Sequence, residues 1–137
     1  MKGFAGVLLL LAASLAHGQG KNGYDDIANN MDAYKQTAEQ ASGALQKRIA
    51  VLVVAPGAWE KKSTKTCSDL GHALRHTVEM RISDGLHVMV AISMDGDKPA
   101  DQTRHYRYAA AQIFHGAIRD AKDANEALDK CLADHKQ

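Results

Sequence analysis

Two cysteines, Cys67 and Cys131, stand almost symmetrically about a turn-forming cluster, Asp95-Gly96-Asp97-Lys98-Pro99. Cys67 lies 31 residues before Lys98, and Cys131 lies 33 residues after it. If the chain doubles back near Lys98 as an antiparallel helical hairpin, the two cysteines sit level and come within disulfide reach. In a βαβα order the flanking helices run the same way, and the cysteines fall at opposite ends unless the last helix breaks at Gly116. The spacing fits neither a CxxC redox pair nor a c-type haem site. A structural bridge closing so long a loop contributes about 4–5 kcal/mol if unstrained.

A disulfide implies an oxidising compartment, and the N-terminus agrees. Lys2 supplies a positive start, Phe4 to Leu15 an apolar stretch, and Ala16-His17-Gly18 a small-residue cleavage site. Residues 1–18 therefore read as a signal peptide, cut after Gly18 or, second, after Ala16. The apolar stretch is shorter than the roughly 20 residues a membrane span needs, and no later segment could span. Residues 19–137 are then one exported domain, secreted or periplasmic. Its 16 basic residues balance 16 acidic ones once Lys2 is removed. That neutrality argues against nucleic acid or an anionic membrane as the main partner.

Three apolar stripes fill the domain. Tyr24, Ile27, Met31, Tyr34, Ala38, Ala41, Leu45, Ile49 and Leu52 recur at spacings of three and four, capped by Asn22 and stopped at Pro56-Gly57. Thr66-x-x-Asp69 reads as the start of a second helix, with its stripe on Cys67, Leu70, Leu74, Val78, Ile82, Leu86, Met89 and Ile92. A third, alanine-rich helix begins near Asp101, with its stripe on Tyr106, Ala110, Ile113, Ala117, Ala121, Ala124, Leu128 and Cys131. The expected fold is all-α: an antiparallel three-helix bundle pinned by one disulfide. The competing fold is α/β or α+β, because residues 49–55 and 86–92 are apolar, rich in β-branched side chains and bordered by turn residues.

Site chemistry rests on histidine. On a helix turning about 100° per residue, His72, His76, Met80 and His87 fall about 140–220° from Cys67, opposite the apolar stripe. His72 and His76 are one turn apart, and Met80 extends the row. These three are candidate ligands for copper, nickel or cobalt. His76-x-x-x-Met80 resembles, over five residues, the ligand spacing of bacterial periplasmic metal-sensing helical proteins. His105, His115 and His135 are isolated on the third segment and are expected at the surface.

Catalytic motifs are missing from the sequence. There is no GxSxG context and no phosphate-binding glycine loop. Asp95-x-Asp97 lacks the distal glutamate of a calcium loop, since residue 106 is Tyr. The lone tryptophan, Trp59, sits among charges in the first linker, where it closes a bundle end or anchors a partner. The runs 49–55 and 86–92 carry more apolar surface than one stripe per helix can bury. That surplus points to a protein partner or a homodimer. The expected function is therefore protein binding without catalysis, as an inhibitor, immunity-type protector or adaptor. The alternatives are a transition-metal sensor or carrier and an apolar-ligand carrier.

Overall fold

The computed structural model describes residues 23–54, 57–58, 61–94 and 100–135, of which all but Asn30, Gly57, Ala58, Lys61 and His135 are α-helical. The signal-peptide segment, Asn22 and Trp59 lie outside the described residues. There are four helices: α1 (Gly23–Asn29), α2 (Met31–Val54), α3 (Lys62–Met94) and α4 (Ala100–Asp134). No described residue is in a strand. Residues 49–54 belong to α2 and 86–92 to α3, so the strand alternative does not hold. Their β-branched content is overridden by packing at helical spacing: Ile49 is buried, and Leu86, Met89 and Ile92 pack on the core.

The first periodic segment is two helices rather than one, because Asn30 interrupts it. Its side-chain amide donates to the Asp26 carbonyl at 2.7 Å, competing with the backbone for that acceptor. Its backbone N–H is shared between the Asp26 and Ile27 carbonyls, and Tyr34 N–H restarts the ladder on the Asn30 carbonyl. The apolar stripe survives the break, with Ile27, Met31 and Tyr34 in one cluster. After α2, Gly57 adopts a φ of 70°, a conformation that favours glycine. Helix α3 starts one turn earlier than Thr66. The Thr66 hydroxyl donates back to the Lys62 carbonyl at 2.9 Å, the bond of an interior residue and not of a cap.

Cross-helix pairs fix the topology. Cys67 is bonded to Cys131, Arg81 Nε donates to Asp120 at 2.6 Å, and Gly85 lies against Phe114, so α3 and α4 are antiparallel. Gly71 faces Ile49 and Arg75 meets Gln46, so α2 and α3 are also antiparallel. Tyr24 stacks on Tyr108, Arg107 reaches Asp32, and Arg48 reaches Asn125 and Asp129, so α1–α2 runs parallel to α4. The rods run up, down and up again, with a single-residue break in the first. The disulfide, with Cα atoms 5.8 Å apart, closes one end of the α3–α4 pair.

Phe114 is the largest fully buried side chain and sits at the middle of the larger apolar cluster. Around it α4 presents the small buried groups Ala110, Ala111, Ala117 and Ala121, with Ile118 packed at the edge. Helix α3 answers the ring with Gly85. A Cβ there would lie 2.5–2.9 Å from three ring carbons. The glycine is thus the hole that admits the ring and lets the two helices approach. A second cluster, Leu45, Ile49, Ala124 and Leu128, fills the end nearer the disulfide.

Gly85→Ala gains about 1 kcal/mol of helix propensity but forces methyl against ring, an overpacking cost of about 1–3 kcal/mol or more. With three ring atoms inside contact distance the second effect wins. Urea unfolding should show a net loss of about 1 kcal/mol or more for Gly85→Ala. Gly43→Ala, where a Cβ meets nothing within 4 Å, should gain about 1 kcal/mol. Stabilisation by both would mean that Phe114 does not occupy that hole.

Candidate functional site

Helix α3 carries the expected row on its outer face. His72, His76, Met80 and His87 are all exposed, opposite buried Cys67, Val78 and Ile82. The row is a ladder of soft and borderline donors one turn apart, open to solvent. Among the described residues, the group of three histidine, cysteine or acidic side chains that converges within metal-binding distance is a different one: Cys67, Cys131 and His135. His72 and His76 therefore offer two imidazoles with no third such side chain brought to them.

The other histidines divide. His105 and His135 are exposed, as expected. His115 is not a plain surface residue: it is half-buried against Tyr34, with ring centroids 5.8 Å apart, on the seam between α2 and α4. Burial holds its pKa below the ordinary value of 6.5, and the Arg119 charge one turn on lowers it further. Burial also pushes the Tyr34 hydroxyl upward.

The two apolar runs do not make one patch. The antiparallel pairing of α2 with α3 sets Ile49 beside Gly71, so Val90 lies 19 residues further along α3. That separates the ends by about 30 Å. Exposed Val51 and Val54 are at the disulfide end, and exposed Val90 and Met94 are at the other. The surplus surface expected from the sequence exists, but it is divided.

Among the described residues, α2 and α3 do enclose a continuous open groove of about 350 Å³. Its deeper residues are Ser42 and Ile82, both buried, flanked by Gly43, Ser83 and Leu86. Small side chains make the gap, since a Cβ on Gly43 would touch nothing within 4 Å. The rim is polar. Glu39 and Gln46 are exposed, and Arg75 crosses from α3 to meet Gln46 at 3.3 Å while also pairing with Glu79. The Arg75 Nε is buried and has no hydrogen-bond partner, a donor whose desolvation is uncompensated. The sequence carried a signal for this groove in the small-residue run Ala41-Ser42-Gly43-Ala44. An apolar-stripe reading passes over such residues.

Comparison with protein-family models, with curated proteins and with solved structures returns no match. The chemistry of the groove and of the α3 row is therefore argued from this chain's own residues.

The His115 environment has a measurable consequence. Its folded pKa lies below its unfolded one, so the unfolded chain takes up a proton first as pH falls through about 6.5. Stability is unaffected by this group above that pH and declines below it, until the folded pKa is passed. Thermal unfolding followed from about pH 7.5 to about pH 5 should fall less steeply for His115→Gln than for wild type. Equal slopes would mean that the imidazole is solvated in the folded state.

Proposed function

We propose that the protein is an exported binding protein that seats an amphipathic helix of a partner protein in the α2–α3 groove. The observation that carries this reading is the groove itself. The α2–α3 seam is open, floored by small and apolar groups and rimmed by polar ones. That is the arrangement in which a partner's helix can lay an apolar face inward and polar edges along the rim. An acceptor on such a helix would also satisfy the buried Arg75 Nε. Export is supported by the Cys67–Cys131 disulfide. No described helix is long and apolar enough to cross a membrane. An apolar-ligand carrier fits less well, because this groove is open and bears four charged or amide side chains.

A second reading has one observation in its favour. His72, His76 and Met80 are exposed on one face of α3, a turn apart, where copper, nickel or cobalt can reach them.

The two readings separate with two variants. Gly43→Arg fills the groove from a position with free space, and His72→Ala with His76→Ala removes the imidazole pair. Partner retention from the native secreted fraction should be lost with the groove variant and kept with the histidine variant. If a second copy fills the groove, light scattering shows a dimer that Gly43→Arg dissociates. Undiminished binding by Gly43→Arg would contradict the groove. Calorimetric binding of copper, nickel or cobalt that vanishes in the double histidine variant would favour the metal reading.

A further inference from the structure

We propose that Cys67, Cys131 and His135 form a redox-gated zinc site, closed while the disulfide is intact and opened when it is reduced. The two sulfurs and a His135 ring nitrogen all lie within 4.8 Å of one another. This convergence comes from two elements. Cys131 and His135 are one turn apart at the end of α4, where His135 N–H still donates to the Cys131 carbonyl at 3.2 Å. Cys67 comes from the start of α3 and is fully buried. Two thiolates and one imidazole are a ligand set zinc favours, with Zn–S near 2.3 Å and Zn–N near 2.0–2.1 Å. In a tetrahedron those bonds hold the two sulfurs about 3.8 Å apart. The two cysteine Cα atoms, 5.8 Å apart, leave room for the sulfurs to part to that distance through side-chain rotation.

Contacts other than the disulfide also hold α3 against α4. The register of α3 on α4 is also set by the Phe114 ring against Gly85 and by the Arg81–Asp120 pair. Charge favours the arrangement too. Zn²⁺ and two thiolates sum to zero, so the partly buried site holds no net charge. His135 is exposed, which leaves its side of the site open to the ion and to a water as fourth ligand.

The chemistry balances with an external dithiol as reductant. Thiol–disulfide exchange breaks the Cys67–Cys131 bond, the reductant leaves as its own disulfide, and two protein thiols result. Zinc then displaces one proton from each thiol into solvent and takes a lone pair from the neutral imidazole. Re-oxidation by an external disulfide reverses the exchange: the thiolates give up two electrons and rejoin their sulfurs, the external disulfide takes up those electrons and two protons and leaves as a dithiol, and the ion is released.

Cobalt(II) is the probe. The purified chain is reduced under anaerobic conditions with a phosphine, which does not compete as a thiol ligand, and titrated with Co²⁺ and then Zn²⁺. The expected result is one equivalent of Co²⁺ with thiolate charge-transfer and visible d–d bands, bleached by Zn²⁺ and not seen in the oxidised chain. His135→Ala should weaken binding on the order of tenfold or more, while His72→Ala with His76→Ala leaves it unchanged. Circular dichroism on the reduced chain checks that the helices persist. A reduced, helical chain without thiolate charge transfer would overturn the proposal. So would unchanged affinity in His135→Ala, or loss of helicity on reduction.

Discussion

The Phe114 ring resting on Gly85 is the contact on which the rest of the arrangement depends. A buried aromatic ring supplies more apolar area than any other side chain in this core, and the chain has few aromatics to use. It can be accommodated only where the facing helix gives up its side chain. That requirement sets the register of α3 against α4 to within a residue. The same register brings Arg81 to Asp120 and Cys67 to Cys131. The exposed ion pairs add little energy individually, but they agree with the register that the ring imposes.

Both candidate sites follow from that geometry. Helix α4 uses alanine to lie close to α2 and α3, and so the two α4 seams close tightly. The α2–α3 seam is filled by Ile49 against Gly71 near the disulfide end and thins out further along. Ser42, Gly43 and Ser83 leave it open, and Arg75 bridges it without satisfying its own Nε. At the end of the bundle, the level cysteines hold the last turn of α4 against the first turns of α3. His135, one turn beyond Cys131, is thereby held over the sulfurs.

Much of the fold was legible because it was written in spacing. The three stripes gave the helical segments, and the near-symmetry of Cys67 and Cys131 about Lys98 separated an antiparallel hairpin from a βαβα order. What escaped was carried by residues that periodicity does not weigh. From Ala110 to Ala117 a stripe of threes and fours can pass through either Ile113 or Phe114; the structure buries Phe114 and leaves Ile113 half-exposed. Gly85 reads as half of a turn beside Asp84, whereas it is a packing hole in mid-helix. Asn30 breaks a helix without breaking its stripe. His72, His76 and Met80 lie on the exposed face of α3 as the helical wheel places them, yet the convergent group lies elsewhere, because convergence needs two helices and the row uses one. His135 was readable as a partner of Cys131 by spacing alone, but only the packed end of the bundle adds Cys67.

The central claim is that one ring in one glycine hole sets the register of the bundle. Nuclear Overhauser contacts between the Phe114 ring protons and the Gly85 α-protons in the oxidised chain test it most directly. The account predicts strong contacts, with the Gly85 α-protons shifted by the ring current. Contacts from the Phe114 ring to a different turn of α3, with Gly85 unshifted, would contradict it.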